Sequence, residues 1–489
     1  MVTGSKSVPE LEKLRSYAAV IGDRRSMGDG NIAVVDPATG TAFAEIADCG
    51  PSEVDAAVRA AATAFGPWAG LGQTERSSHL RRLAEVLRAH TDELAELNTR
   101  DVGKPLQQSR SEVALAARIF DYYADAATTL LGHSIPVSKD VFGYTVHEPY
   151  GVVGHIVPWN YPLGIAARTI APALAVGNCS VVKPAEDASL AVLRLAELAL
   201  EAGLPPGTLN VITGVGATAG AALAQHTGIA LLSFTGSVGT GRAVAKAAAE
   251  NCIPVMLELG GKSPNIVFAD ADLPAAVDAV VNTIIQNAGQ TCSAGTRLIV
   301  EDSIHRRVVE ALHERFESVR IGPGMDDPDL GPLISQRQLV RVRELVEAGK
   351  QEAELVVGGS ALTGEGLDGG YFFAPTIFDH VGIETQIAQE EVFGPVLAVT
   401  PFSELDEARE LADGTRYGLA AGIWTKDGSK AHWLAHQLKS GQVFLNTYGG
   451  GAVELPFGGY KLSGYGREKG TEALIEYTQI KSIAVRTKP

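Results

Sequence analysis

Apolar residues follow two alternating spacings through the middle of the chain, and this alternation predicts an α/β protein. Val152 to Val157 is a continuous apolar run typical of a buried strand, and Leu163 to Val176 has the three-to-four spacing of a helix that begins after Pro162. The alternation continues with strands predicted at 180–182, 209–212 and 229–234 and helices predicted at 189–202 and 217–225. Strands separated by helices of this length predict βαβ units and a parallel sheet.

Similar patterns flank this region. Residues 53–97 have helical spacing, and a short polar, β-prone stretch runs from Ser134 to Glu148. After residue 264 a second alternation predicts strands at 265–268 and 297–300 and helices at 273–286 and 305–320. The chain is therefore expected to contain two α/β units and a small β segment.

Length and composition narrow the class of protein. A chain of 489 residues predicts two or three domains, and 45% hydrophobic with 20% charged residues is typical of a globular enzyme. The formal charge of −16 and the lack of a basic run argue against a nucleic-acid partner. No window reaches the roughly 18 apolar residues of a membrane span, and the first 26 residues lack a signal-peptide core. We expect a cytoplasmic protein with no membrane partner.

Cysteine usage agrees with a reducing compartment. The four cysteines, Cys49, Cys179, Cys252 and Cys292, are spaced too widely for a disulfide framework or a zinc site. No metal is expected in the functional site, and an accessible cysteine would be free to act as a nucleophile.

Two glycine-rich turns between strands and helices suggest a dinucleotide site. Gly214, Gly216 and Gly220 follow one predicted strand, and residues 234–241 form a second such turn. Lys183 directly follows another strand, at the edge of the sheet where α/β proteins bind ligands. Taken alone, the first turn is equally compatible with a plain strand–helix connection. Taken alone, Lys183 could be an ordinary solvated lysine in a turn. Together the three strand ends favour a cofactor site.

Two residues are candidates for the chemistry. Cys292 lies in a turn of small residues, 289–293, although a lone cysteine is usually a structural hydrophobe. Glu258 lies at the end of the apolar stretch 256–259, where a carboxylate is costly to bury unless it is paired or functional. A raised pKa there would suit a general base.

Five motifs in one order resemble those of the aldehyde dehydrogenase superfamily, of the NAD(P)+-dependent hydrolytic type, and they cover nearly the whole chain. The motifs are Pro158-Trp-Asn-Tyr-Pro162, Leu257-Glu-Leu-Gly-Gly-Lys262, Gly289-Gln-Thr-Cys292, Glu391-Val-Phe-Gly-Pro395 and Pro456-Phe-Gly-Gly459.

The resemblance implies a catalytic role for three residues. Cys292 is similar to the family's nucleophile, which attacks the aldehyde carbon to give a thiohemiacetal. The side-chain amide of Asn160 and the backbone N–H of Cys292 resemble the oxyanion hole. Hydride transfer then leaves a thioester, and Glu258 resembles the base that activates water to hydrolyse it.

The resemblance also implies a cofactor site. Glu391 and Phe393 match the residues that hold the nicotinamide ribose and ring, and Lys183 and Glu186 match those that bind the adenosine ribose. A carboxylate at Glu186 favours NAD+, but NADP+ remains open because the side chain is able to turn aside. The full set of expected cofactor residues is Ile156, Pro158, Trp159, Lys183, Glu186, Gly216, Gly220, Phe234, Gly236, Ser237, Leu259, Gly260, Glu391 and Phe393.

By the same resemblance the chain has three parts. A Rossmann-like, parallel-sheet cofactor domain would comprise residues 1–128 and 149–258, and an α/β catalytic domain residues 259–471. Residues 129–148 and 472–489 would form a small β bridging segment that pairs strands across a subunit interface. A homodimer or homotetramer is expected, since exposed edge strands otherwise pair without control.

The substrate is less defined. Arg168, eight residues after Asn160, resembles the arginine with which succinate-semialdehyde dehydrogenases hold a carboxylate, but their second arginine is replaced by Gln286. If one helix carried both, Asn160 and Arg168 would share a face, and the arginine would make a single-sided, partly solvated contact. A surface or interdomain arginine is an equal alternative. Residues 449–453 carry no aromatic side chain, which would leave room for a bulky aldehyde.

Two other functions are compatible with the fold. A CoA-acylating dehydrogenase would pass the thioester to a thiol, but enzymes of that type generally lack the glutamate found here as Glu258. A non-catalytic protein on the same fold would not need Cys292, Glu258 and Asn160 together.

Overall fold

The computed structural model describes residues 14–364, 366–449 and 452–487. Residues 1–13 of the expected cofactor domain, 450 and 451 of the stretch beside the substrate, and 488 and 489 of the expected tail lie outside the described residues. Within the described ranges, no helix combines the length and the apolar character needed to cross a membrane.

The N-terminal part contains five short strands followed by four helices. The helical pattern at 53–97 covers three of these helices, which are separated near Gly70 and at His90. The strands were not predicted, because β1 and β3 have polar sequences without alternation. The elements are β1 (Arg15–Tyr17), β2 (Ala19–Ile21), β3 (Arg24–Ser26), β4 (Gly30–Asp36), β5 (Thr41–Asp48), α1 (Pro51–Ala69), α2 (Gln73–Ala89), α3 (Thr91–Val102) and α4 (Leu106–Ala126).

The β-prone stretch and the first alternation fold as predicted, with bounds that mostly shift by one or two residues. The predicted helix at 217–225 is a π-helical turn, Gly216–Gly220, followed by one short α-helix. The elements are β6 (Ser134–Pro136), β7 (Val141–Pro149), β8 (Val152–Val157), α5 (Pro162–Ala175), β9 (Cys179–Pro184), α6 (Leu190–Glu201), β10 (Leu209–Val211), α7 (Ala221–Ala224), β11 (Leu231–Thr235), α8 (Val238–Ala249) and β12 (Val255–Glu258).

These strands form the expected Rossmann-like sheet. Its five central strands run parallel in the order β12-β11-β8-β9-β10, and β2 and β3 extend the β10 side antiparallel. Helices α1, α5 and α6 pack on the sheet through Ala, Val and Leu side chains that belong to one large core. The carboxyl ends of the parallel strands consequently meet at one edge of this sheet.

The second half of the chain forms the second α/β unit. The elements are β13 (Pro264–Val267), α9 (Leu273–Ile285), β14 (Arg297–Glu301), α10 (His305–Glu317), α11 (Gln336–Glu352), β15 (Glu354–Val357), β16 (Thr376–Asp379), α12 (Gln386–Gln389), β17 (Val396–Phe402), α13 (Leu405–Asp413), β18 (Tyr417–Gly418), β19 (Ala420–Trp424), α14 (Gly428–Gln437), β20 (Gln442–Leu445), β21 (Tyr460–Lys461), β22 (Gly464–Tyr465), α15 (Glu472–Glu476) and β23 (Thr478–Arg486). Short 3-10 helices cover Ala127–Thr129, Gln286–Gly289, Asp302–Ile304 and Gly324–Asp326.

Seven of these strands make one sheet in the order β15-β16-β17-β14-β13-β19-β20. All neighbours in it are parallel except β15 and β16. The strand β22 crosses to the other sheet and pairs antiparallel with β12, next to Glu258. The two sheets thus approach each other where β12 ends.

The C-terminal tail divides between two regions. Strand β23 pairs antiparallel with β7 from Thr478 to Arg486, and β6 completes a separate three-stranded sheet. Just before it, Ala473, Leu474 and Tyr477 are buried in the core of the cofactor sheet. The bridging sheet is therefore present, whereas the domain boundaries stay a prediction.

Candidate active site

Two cavities meet at Cys292. One, of about 500 Å³, follows the carboxyl edge of the cofactor sheet, and the other, of about 290 Å³, lies between α4, α5 and the second α/β unit. Asn160, Ile165 and Cys292 line both cavities. A cavity of about 690 Å³ between β1 and α6 is lined by none of the expected site residues.

The loop before Cys292 has an unusual backbone. Asn287, Ala288 and Gly289 have φ values of 48°, 52° and 72°, so three consecutive residues are left-handed. Any Cβ on Gly289 would lie 2.2 Å from the carbonyl oxygen of Gly394, which requires glycine there. Backbone strain of this kind persists only where the surroundings over-determine it, and it fixes where the thiol points.

Hydrogen bonds fix both the side-chain amide and the backbone carbonyl of Asn160. Its side-chain nitrogen donates to the Gln290 carbonyl at 2.9 Å, which leaves its second N–H for another acceptor. Its own carbonyl accepts from Lys104 Nζ and from Asn287 Nδ2, each at 2.8 Å. Asn160 precedes α5, which begins at Pro162, so the expectation that it shares a helix face with Arg168 is wrong.

Glu258 is the last residue of β12 and is only 3% exposed. Among the described residues, no N–H or O–H group donates to its carboxylate oxygens, and the Cys292 thiol lies within reach of a hydrogen bond to them. Burial raises the pKa of this carboxyl, and the charges of Glu468 and Glu391 add to the effect, whereas Arg168 opposes it. The expectation of a raised pKa is confirmed, and water reaching this carboxylate would meet a competent base.

The pKa of the Cys292 thiol is raised well above its usual value. Burial is the main cause, the nearby Glu258 carboxylate adds to it, and Arg168 acts in the opposite direction. The thiol is therefore protonated near neutral pH, and a neighbouring base must accept its proton before it can attack.

Arg168 lies on α5 and lines the smaller cavity, but its guanidinium already interacts with other side chains of the protein. It forms an ion pair with Glu468, lies 3.6 Å from a Glu258 oxygen, and sits 4.8 Å from the centre of the Phe457 ring. Only 8% of the residue is exposed. Two buried carboxylates therefore flank the cation, and the expected single-sided contact with a substrate carboxylate stays a prediction.

Thirteen of the fourteen expected cofactor residues line the larger cavity, and Gly220 is the exception. Gly220 is the buried last residue of the π-helical turn, and a Cβ there would lie 4.0 Å from Lys183 Cδ. The thirteen are Ile156, Pro158, Trp159, Lys183, Glu186, Gly216, Phe234, Gly236, Ser237, Leu259, Gly260, Glu391 and Phe393.

At one end of the larger cavity, Lys183 and Glu186 form an ion pair of 2.8 Å. Burial alone would raise the pKa of Glu186, but the Lys183 charge and hydrogen bonds, one of them from the Gly216 N–H, lower it overall. The fold also brings Arg337 to 3.1 Å from Asp187. The sequence around Glu186 shows no such cation, because Arg337 comes from the second α/β unit.

At the other end, Glu391 accepts a hydrogen bond from the Gly261 N–H at 3.0 Å. A Cβ on Gly260 would lie 2.1 Å from its other oxygen, so the carboxylate reaches this place only over a glycine. Burial raises the pKa of Glu391 to about 7. Phe393 is left-handed, with φ 56°, and its ring lies edge-on to Trp159 at 5.2 Å.

Of the cavity residues that the sequence did not predict, three lie on α11, and the others are Val157, Ile165, Ala185, Thr235 and Thr240. Gln338 donates to the Phe393 carbonyl at 2.7 Å, Arg341 donates to the Glu391 carbonyl at 2.9 Å, and Arg337 lies beside them. Arg337 and Arg341 are four residues apart on one helix face, but this spacing is common on solvated helices. No local signal marks them.

The smaller cavity is more aromatic than expected. Gln286 and Gly449 line it as anticipated, but so do Tyr161, Phe444 and Tyr448. These rings come from outside the stretch 449–453, and the expectation of room for a bulky or ring-bearing aldehyde stays a prediction. Other polar lining residues are Gln108, Ser111, Thr283, Thr291, Ser293, Gln442 and Lys469.

Comparisons with known proteins agree with this geometry. The aldehyde dehydrogenase family model matches residues 24–483. A hydroxyisobutyraldehyde dehydrogenase of Mycolicibacterium austroafricanum is 44% identical over 456 residues, which is 93% of this chain and 90% of that one.

Solved structures are similarly close. The NAD+ complex of an aldehyde dehydrogenase from Bacillus cereus superposes with a TM-score of 0.94 at 41% identity, covering 97% of each chain. An indole-3-acetaldehyde dehydrogenase of P. syringae, solved as a cysteine-to-alanine mutant in complex with NAD+ and IAA, has a TM-score of 0.94 at 39% identity and the same coverage. The chain belongs to the aldehyde dehydrogenase family, whose members are NAD-dependent oxidoreductases.

Proposed function

We propose that this protein oxidises an aldehyde to a carboxylic acid with NAD+ as the hydride acceptor. The observation that carries the proposal is that Cys292 and Asn160 line both cavities. A thiol at this junction is able to hold an aldehyde carbon from one side while its hydrogen faces the other. NADP+ is the alternative cofactor.

The larger cavity fits a dinucleotide. The glycine at 260 allows the close approach of Glu391, and α8 begins directly after Ser237 at the carboxyl edge of the sheet. Glu391, Phe393 and Trp159 would hold the nicotinamide end. When bound, NAD+ supplies the hydride acceptor.

In the acylation half-reaction, Cys292 would attack the aldehyde carbon from the smaller cavity. The thiol has a raised pKa, and Glu258 is the neighbouring carboxylate that is able to take its proton. The alkoxide of the thiohemiacetal would accept hydrogen bonds from the free N–H of the Asn160 amide and from the Cys292 backbone. Loss of hydride from this carbon then leaves a thioester on Cys292.

In the deacylation half-reaction, Glu258 would draw a proton from water, and the water oxygen would attack the thioester. Its buried position at the end of β12 and its raised pKa support this role over transfer to CoA. The acid and the free thiol are the products.

The adenosine end supports NAD+ over NADP+. Glu186 is kept ionised by Lys183, so it would accept hydrogen bonds from ribose hydroxyls and repel a 2′-phosphate. Arg337 is a cation that could favour a phosphate, but it is paired with Asp187.

We also propose a homodimer or homotetramer in the cytoplasm. The three-stranded sheet exposes apolar side chains at Ile135, Phe142, Ile480 and Val485, and both β6 and β23 are edge strands. A reducing compartment would keep Cys292 as a free thiol, as all four cysteines are in this structure.

The test is NADH absorbance with a panel of short hydroxylated, aromatic and carboxylated aldehydes, with and without CoA. We expect NADH and the free acid to form in equal amounts without CoA. NADH that appears only with CoA would identify an acylating enzyme instead, and no NADH with any aldehyde and either cofactor would contradict the proposal.

A further inference from the structure

Three potential metal ligands meet at the edge of the second sheet, away from the cavities. Asp379 is the last residue of β16, His380 follows it, and His305 is the first residue of α10. Strand β14 connects this place to the nucleophile loop: Cys292 precedes the strand, whereas α10 follows it. None of the three residues lines either cavity at Cys292, so a ligand bound here would not contact the aldehyde.

The three side chains already face one another. Asp379 Oδ1 lies 2.7 Å from His305 Nε2, and Oδ2 lies 3.8 Å from His380 Nε2. One ligand atom from each residue falls within 4.8 Å of the other two. Two imidazoles and one carboxylate form a donor set suited to Zn²⁺ and similar divalent ions.

The backbone supports this arrangement. His380 is left-handed, with φ 49°, and its ring centre lies 4.9 Å from that of His305. The amide of His380 also donates to Asp379 Oδ1 at 2.8 Å, which fixes the carboxylate. A left-handed histidine is conformationally strained, and such strain clusters at functional sites.

We propose that His305, Asp379 and His380 bind one divalent transition-metal ion of the Zn²⁺ type. Bonds of about 2.0–2.2 Å in a tetrahedron place ligand atoms about 3.4 Å apart, so the 2.7 Å contact lengthens and the 3.8 Å contact shortens. The His380 side chain is 61% exposed and free to make that adjustment, whereas Asp379 is 9% exposed and provides a fixed point. Water completes the coordination.

Protonation and charge are compatible with this site. In the neutral tautomer that carries its proton on Nδ1, His305 presents the Nε2 lone pair to the ion. The positive end of the helix dipole at the start of α10 disfavours a cation, and the Asp379 carboxylate offsets this effect. The bound ion would join the start of α10 to the end of β16.

The experiment is a calorimetric titration with Zn²⁺. It uses full-length protein without an affinity tag and with Cys252→Ser and Cys292→Ala, because accessible thiols also bind zinc. We expect one ion per chain with a Kd on the order of micromolar, and a thermal midpoint that rises with Zn²⁺ concentration.

Two matched variants test whether these residues form the metal site. His380→Ala should weaken binding at least tenfold, whereas His313→Ala, an exposed histidine on the same helix α10, should not change it. Since His380 is exposed, its loss should leave the metal-free thermal midpoint unchanged, which verifies folding. Absence of binding, or equal affinity in the His380→Ala and His313→Ala proteins, overturns the proposal.

Discussion

The two cavities that meet at Cys292 are lined by different kinds of structural element. The larger one is formed mainly by strand ends and glycine turns of a single sheet, where close approaches depend on the main chain, as at Gly260. The smaller one is formed mainly by side chains from α4, α5, α9, β20 and several loops of the second unit. Its shape depends on which side chains those elements carry.

This difference fits the proposed assignment of the dinucleotide to the larger cavity and of the aldehyde to the smaller one. A dinucleotide has a constant shape, and backbone groups at strand ends recognise it without depending on particular side chains. Aldehydes vary, and a side-chain lining is able to change while the sheets stay intact. Cys292 and Asn160 line both cavities, so substitutions of these two residues should be the least tolerated.

The largest expected effect is the loss of aldehyde oxidation in a protein that keeps both cavities. Cys292→Ala should abolish aldehyde oxidation, because no covalent intermediate can form, while NAD+ still binds. Progress curves of NADH and a fluorescence titration with NAD+ measure the two properties. Cys252→Ala, which removes an exposed thiol, is the control and should keep full activity. Turnover in folded Cys292→Ala protein would refute the assignment.

The next effect separates the two half-reactions. Glu258→Gln should give a burst of about one NADH per site that rises more slowly than in the unaltered protein, because the Cys292 thiol loses the base that accepts its proton. The burst should be followed by turnover slower by about 10²–10⁴-fold, because hydrolysis loses the same base. Stopped-flow absorbance resolves the burst. Steady turnover at the unaltered rate, without a burst, would show that another group activates water.

The pH dependence tests the charges around Glu258. Its raised pKa means that the base form is populated only above the usual carboxyl range, so kcat should rise with pH through an inflection in that higher region. Arg168→Met removes a cation that lowers this pKa and should move the inflection to higher pH. Glu468→Gln removes an anion that raises it and should move the inflection to lower pH. Shifts in the same direction, or an absent inflection, would contradict this network.

The same arginine distinguishes a positioning role from substrate recognition. If Arg168 acts through Glu258 and Glu468, Arg168→Met should reduce kcat/KM equally for a semialdehyde and a neutral aldehyde of equal length. A selective loss for the semialdehyde, of about tenfold or more, would instead establish a carboxylate contact in the substrate cavity.

The smallest expected effect is on the choice of cofactor. Glu186→Gln should raise the ratio of kcat/KM for NADP+ over NAD+ by about tenfold, because one repulsive charge is worth about 1.4 kcal/mol. Arg337→Gln is the matched variant and should lower NADP+ use instead. An unchanged ratio in both would place the 2′-hydroxyl away from these residues.

The cofactor cavity was largely predictable because its residues are local in sequence. A strand end and the turn after it specify Phe234, Gly236 and Ser237 together, and all three line the cavity. Gln338 and Arg341 reach the same cavity from a helix far along the chain, so no short motif contains them. The partners of Arg168 were unpredictable for a similar reason, since Glu468 follows it by 300 residues. The polar strands β1 and β3 were not predicted, because their residues show no alternation of apolar and polar positions. Only pairing with neighbouring strands defines them.

The left-handed run before Cys292 has a consequence for how this sequence can diversify. Each non-glycine residue held at positive φ costs about 1 kcal/mol or more, and Asn287 and Ala288 both bear this cost. Random substitution at these two positions should therefore return mostly glycine, asparagine and aspartate among folded, active clones, and β-branched residues should be lost. Neutral drift in this enzyme would then be narrow not only at the side chains that take part in the reaction, but also along three consecutive residues whose side chains take no part in it.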